Sequence, residues 1–397
     1  MSTDDSVYWD PYDFRFMRDP YPVYRRLREE APLYYNEKYD FYAVSRHADV
    51  EQSLPDWKTF SSARGNILEL IKSDIEIPSG TVIFEDPRVH DIHRRLLARI
   101  FTPRKISELE PQVRDFCART LDPLVGTDRF DLVAAVGAEM PMRVIGMLLG
   151  IPEADQAAIR DATDENLRTE GSGQMDFTDG AIPNNETLVD YLDWRRENPS
   201  DDLMTDLMNA EFEDENGTRR TLTRDEVVTY ITVVAGAGNE TTGRLIGWAG
   251  AVLSDHPDQR QELVDDPSLI PNTIEELLRF EPTGPSIARY VTADTEFHGR
   301  TVPAGSAVLF LVASANRDER RHPDPDRFDI HRRIGQQLTF GHGVHFCLGA
   351  ALARLEGRVA VEEILRRFPR WDVDWDNARM AQTSTVRGWE TLPLVLG

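Results

Sequence analysis

The chain has 397 residues, of which 45 are Lys or Arg and 69 are Asp or Glu, so its formal net charge is −24. Such an acidic surface repels the phosphates of nucleic acids and anionic lipids. The N-terminus lacks the basic and apolar regions of a signal peptide, and no segment approaches the ~20 apolar residues of a membrane span. We therefore expect a cytoplasmic globular protein that binds neither nucleic acid nor membrane.

The two cysteines, Cys117 and Cys347, lie far apart in the sequence, and neither belongs to a CxxC pair. This usage excludes a disulfide framework and a CxxC-type zinc or redox site, and it is typical of a reduced, intracellular protein. Cys117 lies among apolar residues at helical spacing, which predicts a buried cysteine that packs as a small hydrophobic side chain.

Helix and strand patterns alternate in the first hundred residues, where "DPYPVYRRLREEAP" predicts a helix and "APLYYNE" and "DFYAVSR" predict strands. From about Pro103 to Pro271 the patterns are mainly helical, and strand patterns return after Ile287. We expect one domain over residues 1–397, mainly α, with a smaller β-rich part mainly within 30–60, 285–315 and 380–397. The polar stretch "RTEGSGQMDFTDGAIPNN" (168–185) lacks periodicity, which favours a mobile lid.

One long helix is marked at its start by Thr223 and Glu226, which match a capping box. The helical pattern continues to about Ser254, and roughly 30 residues make a rod of about 45 Å. Its middle, "VVAGAGNETTGRLIG", holds four glycines and two adjacent threonines, and each such residue costs up to ~1 kcal/mol relative to alanine. Two interpretations stay open: a backbone that opens for a ligand or a water, or glycines that let a neighbouring helix pack closely.

The stretch "LTFGHGVHFCLGAALARLE" places Cys347 in a glycine-rich loop before a helix. Its pattern is F-G-x-G-x-H-x-C-x-G, from Phe340 and Gly341 through His345 to Gly349. Glycines let the backbone bend tightly and approach a flat ligand. A sulfur at a helix start favours the thiolate, which is a metal ligand or a nucleophile.

This loop resembles the haem-binding loop of the cytochrome P-450 family, and the resemblance extends over nearly all of the chain. It implies the P-450 fold, mainly α with a long central helix that crosses over the haem. It also implies heme b as cofactor, held by Phe340, Gly341 and Gly349, with Cys347 as the axial ligand of the iron. Thiolate ligation pushes electron density toward the iron and favours O–O cleavage.

Two further stretches match the family in the expected order. Glu276 and Arg279 in "EELLRF" resemble its E-x-x-R pair, with Arg327 in "PDPDRF" as the third partner of a buried charge network. In "AGNETT", Glu240 and Thr241 resemble the acid–alcohol pair that relays protons, and Gly238 gives room for the oxygen beside the helix. The alternative is that Thr241 bonds back to its own helix and Glu240 is merely solvated.

The propionates of a buried haem need cationic or N–H donors. His90 and Arg94 in "HDIHRR" match the family's H-x-x-x-R, Arg289 matches its strand arginine, and His345 precedes the cysteine. His93 or Arg95 would take these roles if the register is shifted, and each of these cations could instead be an ordinary surface residue.

If the fold follows the family, the substrate pocket above the haem is lined by apolar side chains of modest size. They favour a lipid-, steroid- or terpenoid-like substrate, although several of them would equally suit a packed core. The expected lining residues are Val82, Ile83, Val233, Val234, Ala237, Gly238, Pro285, Ile287, Thr385 and Val386.

The chain has no G-x-G-x-x-G after a strand and no flavin-type module, so electrons must come from a partner. The resemblance implies a monomeric monooxygenase that uses O2 and a ferredoxin or flavodoxin with its NAD(P)H reductase. A basic face on an acidic protein would steer such an acidic partner. Two alternatives are a hydrogen-peroxide-driven peroxygenase and a non-enzymatic haem ligand sensor. The expected basic residues are Arg95, Arg99, Arg104, Lys105, Arg332, Arg333 and Arg358.

Overall fold

The computed structural model describes residues 7–73, 75–167, 169, 174–175 and 186–397, and the expected lid at 168–185 lies almost entirely outside this set. The helices are α1 (Phe14–Arg18), α2 (Tyr21–Glu30), α3 (His47–Ser53), α4 (Leu68–Lys72), α5 (Val89–Ala98), α6 (Pro103–Glu108), α7 (Glu110–Leu121), α8 (Glu139–Leu149), α9 (Glu153–Leu167), α10 (Glu186–Glu197), α11 (Leu203–Asn209), α12 (Arg224–Asp255), α13 (Pro257–Asp265), α14 (Ile270–Phe280), α15 (Val312–Ala315) and α16 (Ala350–Arg367).

The strands are short and fall mainly at the two ends of the chain. They are β1 (Leu33–Asn36), β2 (Phe41–Val44), β3 (Phe60–Ser61), β4 (Arg129–Asp131), β5 (Glu211–Glu213), β6 (Arg219–Thr221), β7 (Ile287–Val291), β8 (Thr295–Phe297), β9 (Arg300–Val302), β10 (Ala307–Phe310), β11 (Trp371–Val373), β12 (Arg379–Met380), β13 (Trp389–Thr391) and β14 (Pro393–Leu396). The prediction of a mainly α fold with a smaller β-rich part is confirmed. The expected β segments missed β4, β5, β6 and β11, which are too short to show a period-2 pattern.

The largest sheet has the order β1-β2-β10-β7-β3. Strand β2 pairs with β10 in parallel, and the other neighbours are antiparallel. Phe41, Val308 and Phe310 are fully buried between this sheet and the helices beside it. A second sheet, β11-β14-β4, joins the C-terminus to the chain just before α8.

Helix α12 is the central element. Its N-terminus has the predicted capping box: Glu226 N donates to Thr223 Oγ1 at 3.2 Å, and Thr223 N donates to Glu226 Oε2 at 2.7 Å. The helix runs without interruption for 32 residues, about 48 Å at 1.5 Å per residue. It packs against α8, α14 and α16 and against a π-helical segment at Val133–Gly137.

The glycines of α12 serve close packing. A Cβ on Gly238 would lie 2.6 Å from Ile145 Cδ1 of α8, and one on Gly243 would collide with the carbonyl oxygen of Gly137. The interpretation that the backbone opens for a ligand is therefore wrong, because the helix stays continuous and the absent side chains admit neighbouring elements instead.

No single helix among the described residues is long and apolar enough to cross a membrane, although one bent pair, Val133–Leu149 with Glu153–Asp161, meets that test by length and composition.

Candidate functional site

The loop that carries Cys347 is shaped by glycines at two positive φ angles, +71° at Gly341 and +77° at Gly343. A Cβ at Gly343 would lie 2.7 Å from Pro55 Cα, so only glycine fits at that turn. Cys347 N donates to Phe340 O at 2.8 Å and closes the loop. Gly349 has open space where a Cβ would be. The loop thus presents the sulfur of Cys347 to the cavity, and Gly349 leaves space beside it.

The Cys347 sulfur lies just before α16, which begins at Ala350. The side chain is accessible only through the neighbouring cavity, and protein atoms surround it on the other sides. Burial raises the pKa of its thiol, while the Gly349 N–H and the guanidinium groups of Arg94 and Arg354 act in the opposite direction. A thiol in this setting ionises when a metal cation binds it.

A cavity of about 310 Å³ separates this loop from α12. Helices α5, α8, α12 and α16 contribute to its wall. The lining residues are Val82, Ile83, His90, Arg94, Leu97, Phe101, Ile145, Val233, Val234, Ala237, Gly238, Thr241, Thr242, Leu245, Leu278, Thr283, Gly284, Thr339, Phe340, His345, Cys347, Leu348, Gly349, Leu352, Ala353 and Glu356.

Three basic side chains beside the cavity are only partly paired within the described chain; His90 Nδ1, for instance, lies 3.1 Å from Asp91 Oδ1. Arg289 is 4% exposed, and its guanidinium donates only to Ala288 O at 2.8 Å. Burial lowers the pKa of Arg289 to about 10. The rings of His90 and His345 lie 4.4 Å apart, and among the described residues neither Nε2 has a hydrogen-bond partner. Burial, then the charge of Arg289, lowers the pKa of His345 to about 3.

This arrangement fits a haem. A buried cation without an anion is costly, and two propionates supply the acceptors that these groups lack. His90 and Arg94 line the cavity, whereas His93 bonds Glu85 at 2.7 Å and Arg95 Nε donates to Asp91 O. The structure therefore places the unshifted pair, His90 and Arg94, toward the group.

The expected acid–alcohol pair is divided between two sides of α12. Thr241 lines the cavity, and its Oγ1 donates to Ala237 O at 3.0 Å. Glu240 lies in a separate cleft, where Arg244 Nη2 donates to its Oε1 at 2.7 Å. Successive helical residues differ by about 100°, so they cannot share a face. The alternative of a back-bonded threonine is what the structure shows, while Glu240 is buried and ion-paired, not solvated.

The cleft beside Glu240 is polar and encloses about 410 Å³. Arg244 also donates to Trp389 O, which ties the pair to β13. The residues that line the cleft are Val133, Ala134, Gly137, Ala138, Glu139, Arg160, Asp161, Asn239, Glu240, Gly243, Arg244, Ala381, Gln382, Thr383 and Glu390.

The buried charge network contains Glu276 and Arg279 as expected, but its third side chain is Arg332. Arg279 donates to both oxygens of Glu276 at 2.7 Å, and Arg332 Nε donates to Glu276 Oε1 at 3.0 Å. The expectation for Arg327 is wrong, because its side chain is 70% exposed and only its main-chain carbonyl accepts, from Arg279 and Arg332.

Six of the ten expected pocket residues line the cavity: Val82, Ile83, Val233, Val234, Ala237 and Gly238. The other four are not among its lining residues. Pro285 lines a smaller cavity near Trp9, and Ile287 belongs to β7. Thr385 and Val386 lie in a turn closed by the Thr383 hydroxyl, with Val386 buried.

The sequence reading missed Glu356, a fully buried carboxyl on the cavity wall. Burial raises its pKa to about 8, and among the described residues its Oε2 has no hydrogen-bond partner. The signal was its place on α16, at i+4 from Leu352, on a face that is otherwise apolar. Ile145 and Thr283 were also missed, and neither stands in a motif.

The expected basic face is largely neutralised. Arg358 pairs with Glu110 and Glu362, Arg104 with Glu108, and Lys105 lies 3.7 Å from Asp206. Arg332 belongs to the network around Glu276. The structure gives no carboxylate partner within the described chain to the remaining three, Arg95, Arg99 and Arg333. The described residues contain no other cluster of His, Cys, Asp or Glu able to hold a metal ion.

A family model for cytochrome P-450 matches residues 171–385. Cytochrome P-450 123 of Mycobacterium tuberculosis is 40% identical over 399 residues, covering 98% of this chain and 97% of the relative. Erythromycin C-12 hydroxylase of Saccharopolyspora erythraea is 38% identical, and the match covers 94% of this chain and 93% of the relative. Among solved structures, a mutant of P-450 EryK in complex with erythromycin B is similar with a TM-score of 0.85 at 36% identity, covering 96% of this chain and 97% of that one.

Proposed function

Because the chain belongs to the cytochrome P-450 family, whose members use haem b and a cysteine thiolate for monooxygenation, we propose that this enzyme hydroxylates a neutral, largely apolar small molecule. The observation that carries the proposal is the cavity wall opposite Cys347. Among the described residues, that wall has no charged side chain in its stretch from the turn at Val82–Phe84 through α8 to the middle of α12.

The size of the substrate follows from the small side chains of that wall. Ala237 leaves room beside the helix, whereas the space beside Gly238 is filled by Ile145 of α8, and Thr283 adds one hydroxyl next to Gly284. The relative named erythromycin C-12 hydroxylase supports a rigid multi-ring or macrocyclic molecule over an extended fatty acid.

Bound haem would supply the iron at which dioxygen is activated, and Cys347 Sγ would be its protein ligand. The Arg289 guanidinium and the imidazoles of His345 and His90 would hold the propionates, and Arg94 would add a further cation. The apolar wall then excludes water from the substrate side.

Proton supply involves the two sides of α12. Thr241 Oγ1 is the hydroxyl on the cavity side, and rotation about its Cα–Cβ bond breaks the 3.0 Å bond to Ala237 O and turns it toward the cavity. Glu240 lies on the polar side, where the cleft admits water. We assign Glu240 the uptake of protons from that cleft and Thr241 their delivery at Oγ1.

Electrons come from an external ferredoxin or flavodoxin with its reductase. Arg95, Arg99 and Arg333 are the exposed cations of the expected basic face to which the described chain gives no carboxylate partner, and they support docking of an acidic partner. Reversal of charge in Arg99→Glu should raise the KM for ferredoxin, and it should leave peroxide-driven turnover unchanged. An equal loss in both assays would show that Arg99 does not contact the partner.

The test of the substrate class is a titration of the ferric, haem-loaded enzyme with macrolides, steroids, secosteroids, fatty acids and charged amino acids. We expect a low-to-high-spin shift with rigid neutral molecules and hydroxylated product when ferredoxin, its reductase and NAD(P)H are present. A shift only with charged or long-chain acids would overturn the proposed class. Product with hydrogen peroxide alone, at the rate of the full system, would identify a peroxygenase, and binding without product would identify a sensor.

A further inference from the structure

Three tryptophans form a continuous row from the interior to the surface. Trp248 belongs to α12, Trp389 to β13, and Trp375 to the turn after β11. The ring centroids of Trp248 and Trp389 lie 5.4 Å apart, and those of Trp389 and Trp375 also lie 5.4 Å apart. Trp248 is 6% exposed and Trp375 is 46% exposed. Indole is among the side chains most readily oxidised by one electron, so this tryptophan row is a candidate electron path.

The inner end of the tryptophan row is close to the haem cavity. Trp248 follows Thr241 by seven residues, which is two turns along nearly the same face and about 10 Å along the axis. Leu245, between them, lines the cavity. Trp248 is therefore one helical turn beyond the cavity wall.

Trp389 packs beside the backbone of α12 next to Trp248. A Cβ at Gly247 would lie 3.5 Å from Trp389 Cβ and Cδ1, which is ordinary van der Waals contact. Trp248 Nε1 donates to Arg387 O at 3.0 Å, and among the described residues Trp389 Nε1 has no acceptor. A carbonyl oxygen is too weak a base to take the indole proton. An electron can therefore leave either inner ring without a coupled proton transfer.

Local charge makes oxidation easiest at the outer end. The Arg387 guanidinium lies 4.5 Å from the Trp248 ring centroid, and a nearby cation disfavours a positively charged ring. Trp375 is flanked in the chain by Asp374 and Asp376, and their negative charge favours a positively charged Trp375 ring. An oxidising equivalent that reaches Trp248 is thus drawn outward to Trp375.

We infer that the Trp248–Trp389–Trp375 row carries oxidising equivalents from the haem cavity to the surface when no substrate is there to consume them. This inference rests on the bound haem and is independent of the substrate class proposed above. Hydrogen peroxide reaching the haem becomes two waters by taking up two electrons and two protons. The electrons pass inward one at a time, from Trp375 through Trp389 and Trp248. Two molecules of a one-electron donor in solution, such as ascorbate, return the two electrons to the row at Trp375. The two protons come from water.

The experiment exposes the haem-loaded enzyme to hydrogen peroxide without substrate or reductase. Freeze-quenched samples are examined by electron paramagnetic resonance for a tryptophan radical, and peptide mass spectrometry locates oxidised tryptophans. The variants are Trp389→Phe, which breaks the row, and Trp375→Phe, which removes its exposed end. Trp194→Phe is the matched control, because Trp194 is also 46% exposed but lies outside the row: among the described residues its ring neighbours are Tyr191, at 6.4 Å, and the Arg195 guanidinium, at 4.8 Å.

In the wild-type enzyme we expect oxidation at Trp375, and ascorbate should slow the bleaching of the haem several-fold. Trp389→Phe should lower oxidation at Trp375 several-fold and raise it at Trp248, and bleaching should become faster. Trp375→Phe should move the oxidation to Trp389 and abolish the protection by ascorbate. Trp194→Phe should behave as wild type.

Equal oxidation of Trp375 in wild type and Trp389→Phe, or in protein from which haem has been removed, would overturn the inference, since peroxide would then attack the surface directly. Haem content and the carbon monoxide spectrum of each variant exclude a folding defect. Trp375→Phe, at an exposed turn, tests the path even where Trp389→Phe loses haem.

Discussion

The two sides of α12 come from one short stretch of sequence and have opposite chemistry. Val234, Ala237 and Thr241 face the haem cavity, while Glu240 and Arg244 face the polar cleft. The apolar side lines the cavity and excludes water from it, whereas the polar side holds a buried ion pair. One helix thus separates the apolar cavity from the buried ion pair of Glu240 and Arg244, and a change on either side is expected to affect the properties of that side and spare those of the other.

The largest effect is expected on the cavity side, from Cys347→Ser. Serine is a much weaker ligand for haem iron than thiolate, so the red-shifted carbon monoxide band should disappear together with monooxygenase activity. Cys117→Ser is the matched control: Cys117 is buried against Met140, and its loss should lower stability while the band persists. A normal band in Cys347→Ser would exclude this sulfur as the ligand.

Next in size is Thr241→Ala, which removes the cavity-side hydroxyl. We expect product per NAD(P)H consumed to fall on the order of tenfold, with hydrogen peroxide released instead, because proton delivery is misdirected. Thr229 makes the same back-bond in the same helix, from its Oγ1 to Asp225 O at 2.9 Å, but lies outside the cavity. Thr229→Ala should therefore stay coupled, and uncoupling in both variants would point to helix damage.

On the cleft side, Arg244→Leu leaves the buried Glu240 without its guanidinium. Breaking a buried ion pair costs about 3 kcal/mol or more, so the urea midpoint should fall clearly while the carbon monoxide band remains. Thr241→Ala should leave that midpoint unchanged, which makes the two sides separable. Arg244→Lys should recover part of the stability, because lysine keeps the charge and loses the fork-shaped donor.

Glu356 gives a pH dependence on the cavity side. Its pKa is raised to about 8 in the folded protein, from an ordinary 4.5, so the folded state binds its proton more tightly than the unfolded chain does. Its contribution to stability is complete below pH 4.5 and is lost as the pH rises through 8. Glu356→Gln should raise the free energy of unfolding at pH 7 by up to about 3 kcal/mol. The two proteins should be equally stable near pH 4.5, and parallel curves across pH would contradict this assignment.

The smallest effects concern the glycines that border each side. Gly243→Ala, on the cleft side, meets the rigid backbone of Gly137 and should destabilise by about 2 kcal/mol. Gly238→Ala, on the cavity side, meets only the end of the Ile145 side chain, which can turn away, so its cost should be about 1 kcal/mol or less. This order is tested by the shift of the denaturation midpoint of each variant relative to the wild-type protein.

Local patterns predicted much of this molecule. The capping box at Thr223, the long helix and the loop around Cys347 are each specified within a few residues, and each appears where expected. Spacing within one helix was equally informative, as Glu276 and Arg279 show.

Features that depend on distant parts of the chain could not be predicted in this way. Arg327 and Arg332 stand in the same irregular segment, and only the path of the backbone decides which of them reaches Glu276. Thr385 and Val386 lie in a turn whose course is set by packing against other elements. Which glycine of α12 meets a neighbouring helix likewise depends on tertiary contacts that a single sequence does not contain.

The parallel pairing of β2 with β10 has a consequence for biosynthesis. Strand β2 ends at Val44, and its partner begins at Ala307, so more than half of the chain must leave the ribosome before this pair can close. Loops of that length make such pairing slow, and the waiting strand has an open edge that can associate with other chains. The cysteine loop emerges later still. During translation β2 therefore has an open edge while residues 45–306 are made, and the chain can take up its cofactor only after the cysteine loop has emerged.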